Sequence, residues 1–196
     1  MRQKLATRQL ILNAVISCIE EHGLENVTTR RIARQAGTNI ASINYHFRSK
    51  DQLIEQTLSL TVNHMLEDIM LALADSQKPF ETTLRDVFLY LLEGSWRYPG
   101  ISRAHLAQAV IAGRKDSVGA RAMVKVYNGL VERAVRAYPR KDREILRMRL
   151  AQVMYSIMFL LLTPDFFGVA SRRRATKAQQ AQVYAGSFAT LFLRGI

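Results

Sequence analysis

The sequence predicts an all-α chain. Three observations support this: no stretch shows the strict apolar–polar alternation of a half-buried strand, apolar residues recur at i, i+3 and i+4, and breakers are few, with 4 prolines and 10 glycines in 196 residues. With 48% apolar residues the chain can bury a sizeable core, as one large or two modest domains.

The first periodic stretch runs from about residue 7 to 22, with Leu10, Ile11, Ala14, Val15, Cys18 and Ile19 forming its apolar stripe and Gly23 ending it. Cys18 lies in that stripe and is expected as a packed thiol. It is the single cysteine, so no intrachain disulfide forms and the composition suits a reducing compartment. Arg2, Lys4 and Arg8 open the stretch, either as phosphate or minor-groove contacts or as a solvated end.

Residues 28–50 are the stretch around which the rest is organised. Thr28 or Thr29 caps a short helix carrying Ile32, Ala33 and Ala36 at helical spacing, Gly37 stops it, and Asn39 caps a second short helix reaching about Phe47. Helices this short are not stable alone, so packing must hold them. In the second, Ile43 and Phe47 turn inward at i and i+4. Ile40, Ala41, Ser42, Asn44, Tyr45 and His46 are left outside. Small residues allow close approach to a groove, Ile40 can meet a thymine methyl, Asn44 can pair with adenine, and Tyr45 and His46 can reach phosphates.

Ser49 and Gln52 have the form of a capping box and start a helix of some 25 residues through Leu53, Ile54, Leu58, Thr61, Met65, Ile69 and Ala72. Pro79 suits the first turn of the next helix, 80–97, with Phe80, Leu84, Val87, Phe88, Leu91 and Leu92 inward. Tyr98-Pro99-Gly100 is a break, and further helices follow at about 101–112, 117–137, 142–162 and 176–194. The expected division is a three-helix domain over 1–48 and a helical bundle over 49–196.

The net charge of +12 points to a polyanionic partner and is unevenly spread. Residues 1–50 carry 8 basic against 3 acidic side chains, 51–114 carry 5 against 8, and 115–196 carry 15 against 5. The first basic block coincides with the capped helix pair, as phosphate binding requires. The N-terminus lacks the apolar core of an export signal, and the longest apolar stretch, Val153 to Leu162, is far short of the ~20 residues of a spanning helix. The expected setting is therefore the cytoplasm, without a membrane.

Residues 5–58 resemble the DNA-binding domain of the tetracycline-repressor (TetR) family. Thr28-Thr29-Arg30, Ile32-Ala33, Ala36-Gly37, the Tyr45-His46-Phe47 end and Ser49-Lys50-Asp51-Gln52-Leu53 carry the resemblance, over about a quarter of the chain. It implies a helix-turn-helix in which Thr28, Thr29 and Arg30 touch the backbone or a base edge. Ile40, Ala41, Ser42 and Asn44 line the major groove, Asn39 belongs to the same DNA-binding set, and Tyr45, His46 and Lys50 grip phosphates. The sequence departs from the commonest family pattern at Asn44, usually tyrosine, and at Ile40, often polar, which bears on base preference.

Beyond residue 75 no catalytic constellation occurs. The four histidines, His22, His46, His64 and His105, form no metal-binding pair, and there is no glycine-rich phosphate loop or nucleophile elbow, so no enzyme, cofactor or metal is expected. Tyr90, Trp96, His105, Met123, Tyr127, Met154 and Met158 are large, partly polar side chains on successive helices. They form either ordinary core or, as the resemblance implies, the lining of a site for a small effector. The last two helices are apolar nearly all round over 153–162, with small and aromatic residues mixed over 184–192, and suit a two-fold homodimer built as a four-helix bundle. The basic block of Arg140, Lys141, Arg143, Arg147, Arg149, Arg172, Arg173, Arg174 and Lys177 either faces the ligand entrance or is a solvated surface. These features together lead us to expect a homodimeric regulator released from a palindromic DNA operator by a small molecule, most simply a repressor. The alternative is an architectural DNA-binding protein without an effector.

Overall fold

The computed structural model describes residues 2–164, 166, 167 and 175–194, the side chains of residues 2–4 excepted. Arg172, Arg173 and Arg174, and the side chains of Arg2 and Lys4, lie outside the described residues. The described residues form nine α-helices and no strand: α1 (Arg2–His22), α2 (Thr29–Gln35), α3 (Ile40–His46), α4 (Lys50–Ala74), α5 (Phe80–Arg97), α6 (Pro99–Leu106), α7 (Val118–Ala137), α8 (Arg143–Leu162) and α9 (Lys177–Leu193).

Two apolar clusters organise them. Ile11, Leu12, Val15, Cys18 and Ile19 of α1 pack with Ile32, Ile43, Phe47, Leu53 and Leu58, and α6 adds Ile101 and Ala104. The second cluster joins Ile69 and Leu73 of α4 to the inward faces of α5, α7, α8 and α9. α4 contributes to both, its first turns to one and its last to the other. At about 1.5 Å per residue, its 25 residues make a rod of roughly 37 Å between them.

Contacts along α4 fix the direction of α7. Leu73 packs against Gly129, and past the end of α4 the Arg133 guanidinium donates to the carbonyls of Asp75 and Lys78, both at 2.9 Å. α5 and α9 run antiparallel, since Phe80 meets Phe192 and Trp96 meets Tyr184, ring centroids 5.8 and 6.1 Å apart.

Three features differ from the sequence reading. α1 starts at Arg2 rather than near residue 7, and its stripe includes Leu12 while Leu10 is 55% exposed, because the helix meets its neighbours over one flank only. The break expected at Tyr98-Pro99-Gly100 is present but narrower, Tyr98 alone, because Pro99 opens α6 at its first position, where a missing N–H costs nothing. The helix expected over 101–112 ends as α at Leu106 and continues as a wider π turn, Ala107–Ile111.

Taken whole, α8 is long and apolar enough by length and composition to cross a membrane, although only 33% of that stretch is buried in the bundle. Met148, Tyr155 and Phe159 on its outer side are exposed.

Candidate nucleic-acid interface

The turn between α2 and α3 is set by hydrogen bonds that local sequence dictates. Thr28 accepts from the Arg31 N–H at 3.2 Å and caps α2, which assigns the cap to Thr28 rather than Thr29. Gly37 has φ 61°, a conformation that costs a residue without Cβ nothing. Around it the Thr38 N–H donates to the Ala33 carbonyl and the Gly37 N–H to that of Arg34, closing a Schellman end. Asn39 then accepts from the Ser42 N–H at 2.8 Å and starts α3. Caps of this kind contribute about 1 kcal/mol each, which matters for two seven-residue helices.

Packing fixes which face of α3 looks out. Ile43 and Phe47 are 1% and 2% exposed against α1 and α2, whereas Tyr45 is 69% and Ile40 43% exposed, with Ala41 and Asn44 also open to solvent and Ser42 and His46 half-buried. The Tyr45 ring stands edge-on to His46 at 5.3 Å. Thr28 and Arg30 at the start of α2 are exposed, and Thr29 is half-buried. Asn39 spends its Oδ1 on the cap, leaving its amide nitrogen to offer a ligand. The Lys50 ammonium lies 3.4 Å from the Val27 carbonyl, so the expected phosphate-gripping lysine also ties the start of α4 to the strap ahead of α2.

Arg8 has a role that sequence left open between phosphate contact and solvated end. Its guanidinium donates to Gln56 Oε1 at 2.7 Å and lies over the Phe47 ring, 5.2 Å from the centroid. It thus joins α1, the end of α3 and α4 in one contact, a charge held on an aromatic face beside the presented surface.

Residues 11–57 match the family described as bacterial regulatory proteins, tetR family. Residues 11–57 are those of a tetR-family regulatory domain. Among relatives of this chain, the HTH-type transcriptional regulator BetI of Serratia proteamaculans is 32% identical over 66 residues, 34% of this chain and 33% of that protein. The nucleoid occlusion factor SlmA of Yersinia enterocolitica is 26% identical over 136 residues, 66% of this chain and 68% of that protein. The matches to BetI thus span only about a third of BetI's length. Among solved structures, FadR from Bacillus subtilis in complex with stearoyl-CoA superposes with a TM-score of 0.70 at 16% identity, over 96% of this chain and 98% of that one. A TetR family regulator from Marinobacter aquaeolei gives 0.63 at 18% identity, over 96% and 98%. These identities show a shared fold, an N-terminal helix-turn-helix followed by a helical bundle.

The seven side chains expected around an effector are scattered in the helical bundle. Met154 is buried in the second cluster, with Trp96, Met123 and Tyr127 packed against it, and Tyr127 donates to the Arg147 carbonyl at 3.0 Å. Met158 is half-buried on α8. Tyr90 sits at the surface and donates to Asp68, and burial of its ring together with that carboxylate pushes its pKa up to about 12. His105 points instead between α4 and α7. Two open depressions among the described residues, of about 510 Å³ on the outer face of α9 around Gly186 and about 350 Å³ between Arg8 and Leu60, do not touch the seven.

Two contacts escaped the sequence reading. Both Glu20 carboxylate oxygens accept from the first N–H groups of α6, Gly100 at 2.9 Å and Ile101 at 2.8 Å, and clamp the bundle to α1. His105 Nε2 lies 3.3 Å from Thr61 Oγ1. The Thr61 hydroxyl already donates to the Leu58 carbonyl at 2.8 Å, which assigns the donor role to Nε2–H and leaves Nδ1 bare. That Nδ1 is buried without a hydrogen-bond partner, against Gly119, and burial lowers the His105 pKa to about 4. No periodicity or spacing marks either contact, since each joins residues more than 40 apart.

Proposed function

We propose that this chain is a homodimeric repressor that reads a palindromic operator with α3 and releases it when a small molecule enters the bundle. The observation that supports this best is the outward face of α3. An exposed isoleucine and tyrosine sit among small and amide side chains, on a helix braced from behind by Ile43 and Phe47. The division into a DNA-binding unit over 1–48 and an effector and dimerisation unit over 49–196 goes with it, as does a place beside the chromosome in the cytoplasm. α8 and α9 supply the dimer face. Tyr155, Phe159, Val183 and Leu191 are 69, 47, 48 and 59% exposed, and Gly186, Ser187 and Thr190 between them let another helix come close. The effector enters among Trp96, Met123, Tyr127 and Met154, with Tyr90, His105 and Met158 at its margins.

Asn44→Ala is expected to cost about 1–3 kcal/mol at one base position and to relax preference there. Lys50→Ala should weaken binding to all duplexes alike and reduce the salt slope by about 1. Competition binding against single-base variants of a selected duplex, over a salt series, checks both. If both substitutions lowered selected and random binding equally, the roles given to the two side chains would be wrong.

An architectural DNA-binding protein without an effector is favoured by one observation, that Met154 is buried in the core with Trp96, Met123 and Tyr127 packed against it. A metabolite that raises the melting temperature and frees the selected duplex supports the repressor; binding to the same duplex with no such compound supports the alternative.

A further inference from the structure

Outside the helix-turn-helix, positive charge concentrates on the hairpin of α7 and α8. From Val118 to Arg149 there are nine basic side chains and three acidic ones, a net +6 that is half the +12 of the whole chain. All three acidic groups are engaged: Glu132 with Arg143, Glu144 with Arg147 at 3.6 Å, and Asp142 as the cap of α8. Lys125, Arg136, Arg140 and Arg149 are exposed, and no ion pair among the described residues holds them.

The position of this surface matters as much as its charge. Arg133 anchors α7 to the carbonyls just beyond α4, so the hairpin turn stands at the opposite end of that roughly 37 Å rod from Lys50. Each hairpin helix is 20 residues, roughly 30 Å, close to one turn of a B-form duplex. The exposed apolar groups near the turn, Ile145 and Met148, continue the α8 stripe of Tyr155 and Phe159 that the proposed dimer covers, which leaves no free apolar face for an interfacial helix to sink into lipid.

We infer that the α7–α8 hairpin is a second polyanion-binding surface, and that its partner is a second DNA duplex, distinct from the one read by α3. A molecule with cationic surfaces at both ends of α4 bridges two DNA segments. Binding at the hairpin is read through phosphates and has no sequence preference.

The test uses the full-length protein held on an immobilised duplex that it has itself selected from a random pool, with a labelled duplex of unrelated sequence then added. Wild type should capture the second duplex. The variant Lys125→Gln/Arg136→Gln/Arg140→Gln/Arg149→Gln should keep the immobilised one within about two-fold but capture at least tenfold less of the second. The salt slope of capture should fall by about 3 to 4, at roughly 0.9 per lost phosphate contact. A charge-keeping Arg136→Lys/Arg140→Lys/Arg149→Lys variant should still capture, which separates loss of charge from loss of fold. No capture by wild type, equal capture by the glutamine variant, or binding of phosphatidylserine vesicles in place of the second duplex would overturn the inference.

Discussion

Gly100→Ala is expected to destabilise the protein by about 2–4 kcal/mol, more than an exposed helical substitution, because the new Cβ has nowhere to go. It would stand 2.8 Å from the Glu20 Cα and 2.8 Å from the Ile19 carbonyl oxygen, and both are backbone atoms that cannot rotate aside. Alanine would ordinarily favour a helix, but here α6 must lift off α1. That movement lengthens and weakens the two hydrogen bonds that Glu20 makes at 2.9 and 2.8 Å, each charge-assisted and worth roughly 1.5–3 kcal/mol when intact. Glu20→Ala removes the same contact from the other side. Urea unfolding of the two single variants and the double variant checks this: the double should cost clearly less than the sum, because both changes act on one junction. Additive losses would mean that the clamp is not a unit.

Lowering pH from 7.5 to 4.5 should destabilise wild type by roughly 2–3 kcal/mol more than a His105→Gln variant. The sign follows from proton binding. Burial holds the folded His105 pKa down to about 4 against the ordinary 6.5, so between those values the unfolded chain takes up a proton that the folded one refuses. The stabilisation is fully present above pH 6.5 and is lost as pH falls toward 4. Glutamine can still donate to Thr61 but does not titrate, and the carboxylates, including a Glu81 held low by the Tyr138 hydroxyl, contribute equally to both proteins. Thermal melts across this range test it, with about 2–4 °C per kcal/mol for a chain of this size. Parallel curves for the two proteins would contradict the buried neutral imidazole.

The parts of the structure legible in the sequence are those written in short-range chemistry. Thr28, Asn39 and Ser49 mark helix starts by accepting from the N–H three residues on, Gly37 marks a helix end by its positive φ, and the inward set of α5, from Phe80 to Leu92, follows from spacing alone. Which face of α3 is turned outward also follows, because Ile43 and Phe47 are the apolar pair one turn apart. Long-range junctions were not legible. Glu20 finds its donors 80 residues on, His105 finds Thr61 44 residues back, and Arg8 finds Gln56 and the Phe47 ring, each in a position where sequence alone is equally consistent with a solvated or simply packed side chain. The Leu10 misplacement has the same origin: apolar spacing gives the helix but not which flank its neighbours cover. The basic block divides similarly, since its charge is plain in the sequence while its station at the far end of α4 is visible only once Arg133 is seen to hold Asp75 and Lys78.

The central claim is that α3 presents a base-reading surface and that two copies present it together. Sequencing the fragments that the purified protein retains from a random duplex pool tests it most directly. Two inverted half-sites are expected, about one helical turn apart or a multiple of it, with an Asn44→Ala protein losing preference at one position in each. Fragments with no shared sequence, or a single asymmetric site indifferent to Asn44→Ala, would contradict it.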